Sequence, residues 1–184
     1  MGTLDAGLAG AIREAALLEG DFLLRSGKRS PYYLDKYRFA TRPDLLRPLG
    51  VALAAAVSEF EPHAVRIAAP ELGAVPLAAA ASLEAGIPFV IVRGTAKAYG
   101  TANRIEGAFE PGERMCLIED VVTAGGAALE AVEALRDAGI LVSTVVCVVD
   151  REEGGADALA RAAVRLRPLF TATEVKEASP SPHG

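Results

Sequence analysis

Four short apolar runs set the folding problem for this chain: Val65–Ala69, Phe89–Arg93, Met115–Glu119 and Val142–Asp150. Each is rich in β-branched residues and bounded by turn residues, and unbroken runs of this kind mark strands covered on both faces. Segments with helical spacing lie between them, at 74–84 and 127–138. Strands that alternate with helices imply right-handed crossovers and a mostly parallel central sheet flanked by helices, an α/β fold. Upstream, Leu4, Leu8, Ile12, Ala15 and Ala16 predict an amphipathic helix over 3–18. Phe22–Arg25 and Pro31–Leu34 read as strands around a hairpin turn at 26–29. A helix is expected from Thr41 as cap, with Pro43 in its first turn, to Phe60.

The 184 residues suffice for one domain with a sizeable core. There is no linker and no internal repeat, so residues 1–176 are expected as a single unit, with a small N-terminal hood over 1–40 and a flexible tail over 177–184. The net charge of −5 argues against broad nucleic-acid binding. A local basic group (Arg25, Lys28, Arg29, Lys36 and Arg38) reads as a solvated face. Cys116 and Cys147 lie inside strand-like runs and read as buried small hydrophobes in a reducing, cytoplasmic setting. The first residues contain acids and lack a long apolar stretch, so no signal peptide is expected, and no window is apolar enough for a membrane span. Residues 94–107 have neither helical nor strand period. A loop of that length in a compact domain is usually a lid or binding loop.

The stretch “MCLIEDVVTAGGAAL” (115–129) carries the chemistry. Glu119 and Asp120 end a strand, where open α/β sheets bind ligands. Thr123, Ala124, Gly125, Gly126 and Ala127 follow at a helix start, whose unpaired amides and dipole suit a phosphate. Neither G-x-x-x-x-G-K-[ST] nor G-x-G-x-x-G is present. Carboxylates beside a phosphate repel it unless they bind something else, and a ribose phosphate uses both features.

“CLIEDVVTAGGAALEAV” (116–132) resembles the phosphoribosyl diphosphate (PRPP) signature of type I phosphoribosyltransferases. “FLLRSGKRSPYYLD” (22–35), “PELGAVPLA” (70–78), “VRGTAKAYGTANRIEG” (92–107) and “VVDREEGG” (148–155) resemble, in order, the base-binding hairpin, diphosphate turn, mobile loop and carboxylate-binding strand end of the orotate phosphoribosyltransferase family. The resemblance implies that family's fold and the transfer of phosphoribosyl from PRPP to orotate, with release of diphosphate and formation of orotidine 5′-monophosphate. It implies that Glu119 and Asp120 hold the ribose hydroxyls, and that Thr123–Ala127 cradle the 5′-phosphate. Glu71, Leu72 and Gly73 would form the diphosphate turn. Arg151 would pair with the orotate carboxylate, with Arg25, Tyr33 and Thr123 also at the base and Tyr32 nearby. Lys97 and Arg93 would act with Asp120 in catalysis, Lys97 by neutralising the leaving diphosphate. Further implications are magnesium held mainly by PRPP, with a water-mediated contact to Glu119 or Asp120, and a homodimer whose loop 94–107 reaches the partner's site. Gly94 and Tyr99 depart from the pattern, standing where relatives place lysine and histidine, and this bears on turnover more than on fold. The alternatives are a transferase for another base and a noncatalytic PRPP-binding regulator.

Overall fold

The computed structural model describes residues 6–23, 27, 29–94 and 104–179. The elements in chain order are α1 (Ala6–Ala16), β1 (Leu17–Leu23), β2 (Arg29–Leu34), α2 (Lys36–Ala40), α3 (Pro43–Phe60), β3 (Arg66–Pro70) and α4 (Ala74–Ala85). They continue with β4 (Phe89–Val92), β5 (Ile105–Glu106), β6 (Arg114–Val122), α5 (Gly126–Asp137), β7 (Leu141–Asp150), α6 (Gly155–Arg161), β8 (Arg165–Thr171) and α7 (Ala172–Glu177). Six strands form one sheet in the order β5-β4-β3-β6-β7-β8, parallel except for β5, while β1 and β2 form a separate antiparallel pair.

The mostly parallel sheet matches the sequence expectation, with local differences. Helix α1 stops at Ala16, because Leu17 and Leu18 already pair with Leu34 and Tyr33. Thr41 does not cap α3; it closes α2, its amide and hydroxyl donating to the Tyr37 carbonyl, while Arg42 precedes Pro43. Asp35 starts α2 by accepting from the Tyr37 amide at 3.2 Å. The end of the 94–107 segment carries β5, whose two residues are too few to show a period. Beyond Asp150, where the sequence pattern assigns nothing, the chain forms α6, β8 and α7, so Glu177 is helical rather than part of a tail. Strand β8 (RLRPLFT) mixes two arginines and a proline with its apolar residues, an edge-strand composition that hides the strand signal.

Two apolar cores form, one on each face. Helices α1, α3, α4 and α7 enclose the first, and α5 and α6 the second. Neighbouring residues of β6 serve them alternately: Cys116 and Ile118 the first, Met115 and Leu117 the second. Helix α3 buries Leu45, Leu49, Leu53 and Val57 and meets α4 at Gly50, where a Cβ would crowd the Ala80 side chain at 2.8 Å. Both cysteines are free and buried, and burial raises both thiol pKa values, that of Cys116 to about 12. Among the described residues, no helix is long and apolar enough to cross a membrane.

The sheet order locates a crevice. From β3 the chain crosses to β4 on one side; from β6 it crosses to β7 and then β8 on the other. The direction reverses between β3 and β6, and ligands of open α/β sheets settle outside the strand ends at such a switch point. A larger groove of about 490 Å³, lined by Val57, Glu61, Ala85 and Ile87, lies at the opposite end of the strands.

Candidate active site

Strand β6 pairs with β3 only as far as Leu117, so its last residues run on beside β7 alone. Glu119 and Asp120 lie in this extension, 6% and 1% exposed. Their side chains part. Asp120 turns towards the β3–α4 turn, where its Oδ2 occupies the space a Cβ on Gly73 would need. Glu119 lines a small cleft with Val122, Thr123, Gly125, Gly126, Ala127 and Ala128. Two adjacent acids are therefore divided between the two flanks of one crevice.

Their charge states are divided as well. Burial first, and then the neighbouring Asp120 charge, push the Glu119 carboxyl up to about 8, so at neutral pH it mostly carries its proton. Asp120 is ion-paired: the Lys36 ammonium stands 2.9 Å from Oδ2 and 3.2 Å from Oδ1, the second with hydrogen-bonding geometry. Oδ1 also accepts from the Val121 amide at 2.6 Å. Oδ2 is buried and has no hydrogen-bond donor among the described residues, the 2.9 Å contact being electrostatic rather than well directed. Burial lowers the Lys36 pKa, but the hydrogen bond and charge of Asp120 outweigh this and raise it overall.

The loop after β6 bends through Gly125 (φ +83°) into α5, whose first amides have no partner within the helix. The fold holds this loop from behind. A Cβ on Gly155 would overlap the Thr123 carbonyl and the Val122 side chain, and one on Gly125 would press on the Gly155 carbonyl at 3.2 Å. Thr123–Ala127 thus keep their shape because α6 begins with a glycine against them. On the other flank, Glu71, Leu72 and Gly73 form the turn into α4, with a cis peptide between Glu71 and Leu72. The Glu71 carboxylate accepts from the Gly94 amide at 3.0 Å and lies 4.0 Å from the Arg93 guanidinium. Arg104 points Nε and Nη2 at the carbonyls of Arg93 and Gly94, each at 3.4 Å. The stem of the 94–107 segment is therefore tied to the turn. Among the described residues, a Cβ on Gly94 would meet Glu71 Oε1 at an ordinary 3.7 Å.

Arg151 reaches the same crevice because its amide donates to the Val122 carbonyl at 2.8 Å, just past the β6–β7 pairing. It is 8% exposed, its Nη2 contacts Glu153 at 2.9 Å, and its Nε is buried with no hydrogen-bond acceptor among the described residues. The turn beside it is locked. Glu152 (φ +60°) donates its amide to Asp150 at 2.9 Å, and its carboxylate accepts from the Thr173 amide and hydroxyl. The Arg151 guanidinium lies 4.9 Å from the centroid of Tyr32, and Lys176 stands 5.1 Å from that same centroid. Tyr33 points elsewhere, 41% exposed and 5.6 Å from the Phe22 ring.

The structure thus brings together Glu71, Leu72, Gly73, Arg93, Glu119, Asp120, Thr123–Ala127 and Arg151, and sets Tyr33 apart. Arg25, Lys97 and Tyr99 lie outside the described residues. Two further side chains beside these residues, Lys36 and Lys176, lie outside the sequence-based site, and Tyr32, expected near the base, takes the place expected of Tyr33. Lys36 reads in the sequence as part of a solvated basic face, although it stands only three residues after the tyrosine pair. Tyr32 differs from Tyr33 only by strand parity. Lys176 sits on a helix the pattern did not reveal. No group of three His, Cys, Asp or Glu residues among the described residues is placed to hold a metal. A divalent ion here would depend on ligand oxygens, because the buried Asp120 Oδ2 already faces the Lys36 ammonium at 2.9 Å.

No protein-family model matches the chain. It is 46% identical over 172 residues to the orotate phosphoribosyltransferase of Halobacterium salinarum, covering 93% of this chain and 96% of that one. Over 178 residues it is 44% identical to that of Thermoplasma acidophilum, covering 96% and 98%. Among solved structures, the Aeropyrum pernix orotate phosphoribosyltransferase superposes with a TM-score of 0.82 at 32% identity, over 92% of this chain and 96% of that one. The Mycobacterium tuberculosis orotate phosphoribosyltransferase solved with PRPP gives a TM-score of 0.78 at 28% identity, over 93% and 98%. Likeness at this level runs along nearly the full length of several such proteins, and the crevice between β3 and β6 lies within it: the chain belongs to the orotate phosphoribosyltransferase family.

Proposed function

We propose that this protein transfers the phosphoribosyl group of PRPP to N1 of orotate, releasing diphosphate and forming orotidine 5′-monophosphate. One observation carries the reading: the switch-point crevice sets two buried acids and an amide-rich helix start beside a buried arginine whose Nε has no acceptor among the described residues. A sugar phosphate and a planar carboxylate are the chemistry that satisfies both.

In this reading Glu119 and Asp120 orient the ribose hydroxyls, and the amides of Thr123–Ala127 hold the 5′-phosphate. The turn at Glu71, Leu72 and Gly73 presents its backbone to the diphosphate. Arg151 binds the orotate carboxylate with its planar fork, exchanging Glu153 for substrate. As the glycosidic bond to diphosphate breaks, positive character grows on the ribose ring and negative charge on the departing oxygens. Preorganised cations and amides aimed at that charge lower the barrier. Arg93 stands at the stem of the loop for this purpose, and Lys97 supplies a second cation when residues 94–107 close over the site and exclude water. Magnesium, carried mainly by the PRPP oxygens with a water-mediated contact to Glu119 or Asp120, would offset part of the diphosphate charge. The working form is a cytoplasmic homodimer in which loop 94–107 serves the partner's site.

The test is direct. Protein, PRPP and magnesium are incubated with orotate, uracil, adenine or hypoxanthine, and base consumption is followed. Orotate alone should be consumed. Preference for another base overturns the substrate assignment, and tight PRPP binding without turnover moves the chain to a regulatory role.

A further inference from the structure

Among the described residues, cationic charge is scarce where the leaving group would lie. The turn at 70–73 contains an acid and a leucine, the Glu71 carboxylate already holds the Gly94 amide, and Gly94 has no side chain. Two cationic side chains are placed against this turn by their contacts. Arg93 faces Glu71 at 4.0 Å. Lys36 comes from the other side, and a Cβ on Gly73 would meet its Cε at 3.1 Å. Its ammonium rests on Asp120, yet its side chain is still 37% exposed, against 2% for Asp120. Lys36 therefore sits at the junction of the diphosphate turn and the ribose acid, at the open end of its ion pair. The flexible four-carbon stem of lysine lets the ammonium move a few ångströms without disturbing α2.

We propose that Lys36 is a substrate-binding cation that neutralises Asp120 before PRPP binds and passes to the diphosphate oxygens of PRPP when the ribose hydroxyls take its place on Asp120. This rests on the functional reading above and adds a residue to it. Asp120 is buried, and an unpaired buried carboxylate is costly, so the Lys36 ammonium beside it offsets that cost. Ribose hydroxyls supply new donors to Asp120, including the Oδ2 that has none, and release the ammonium. Diphosphate arrives within reach at the same moment. The exchange gives the site a cation where Gly94 leaves a gap.

The experiment compares wild type with Lys36→Met and Lys36→Arg, using calorimetry with three probes: PRPP with magnesium, inorganic diphosphate with magnesium, and ribose 5-phosphate. Lys36→Met should weaken PRPP and diphosphate binding about tenfold or more and ribose 5-phosphate less than about twofold, with Lys36→Arg recovering most of the loss. Equal losses for diphosphate and ribose 5-phosphate, or no loss, overturn the proposal. Should Lys36→Met fail to fold, the wild type answers alone: acetylation of Lys36, read by mass spectrometry, should be slowed by diphosphate and not by ribose 5-phosphate. Equal acetylation rates with either probe overturn it. Wild type that binds PRPP but consumes no orotate breaks the functional reading and leaves the Lys36 result standing. Wild type that turns over beside a Lys36→Met variant with normal diphosphate affinity breaks the Lys36 proposal alone.

Discussion

The two halves of the crevice are built in opposite ways. The half around Glu119–Ala127 comes from one strand end, the loop after it and one helix start, so neighbours in sequence are neighbours in space. The half around Arg151 is assembled from the β1–β2 hairpin, the end of β7 and the last helix, which meet on the face of Tyr32. They also store charge in opposite senses. On the first side a buried acid is held by a lysine, on the second a buried arginine is held by Glu153. Each half thus keeps an internal counter-ion for its buried charge, which limits the cost of burying an ionic group before substrate arrives. The contiguous half depends on close backbone packing, and the assembled half on side-chain contacts that individually contribute less.

Four measurements would break or sharpen this contrast. The largest effect is expected at Glu119. Its folded pKa of about 8 lies above the ordinary 4.5, so the folded state binds the extra proton and the stabilisation it gives is lost as pH rises from about 4.5 through 8. By linkage the change is on the order of several kcal/mol. Denaturant titrations should show wild type and Glu119→Gln, whose amide mimics the protonated acid, alike near pH 4.5 and wild type falling progressively below the variant towards pH 8; a constant difference would remove the shift. Next comes Gly73→Ala, whose Cβ overlaps Asp120 Oδ2. Displacing that carboxylate by about 1 Å should cut kcat/KM for PRPP on the order of 100-fold, and near-normal turnover would mean Asp120 does not position the ribose.

Arg151→Ala should raise the KM for orotate by about 10- to 100-fold, the loss of charged hydrogen bonds, while the KM for PRPP stays nearly constant. Parallel rises in both would merge the two halves into one. The smallest effect separates the tyrosines. Tyr32→Leu should raise the orotate KM by about three- to tenfold through loss of the cation–π support of Arg151, whereas Tyr33→Leu should change it less than about twofold. The reverse order would place the base on the other face of β2.

The same contrast explains what the sequence made legible. The sheet and the 115–129 site follow from local patterns: apolar runs of strand length, two acids at a strand end, glycines at a helix start. Periodicity could not show that α2 begins at Lys36 or that its side chain crosses 84 residues of sequence to Asp120. It could not separate Tyr32 from Tyr33, because a strand with one side partly covered tolerates an aromatic on either face. β8 and α7 were hidden for a different reason. An edge strand carrying Arg165, Arg167 and Pro168 owes its place to pairing with β7, a tertiary cause that leaves little mark on composition.

Gly155 has a consequence for anyone who would move this site into another scaffold. The loop at 123–127 takes its shape against a glycine some thirty residues downstream, where even a methyl group would collide with the Thr123 carbonyl. Grafting 115–129 onto a foreign parallel sheet would transplant the ligand-facing surface and leave its mould behind. A portable version needs the start of α6 and the strand before it as well, so the smallest transferable unit is β6 through α6 rather than the signature itself.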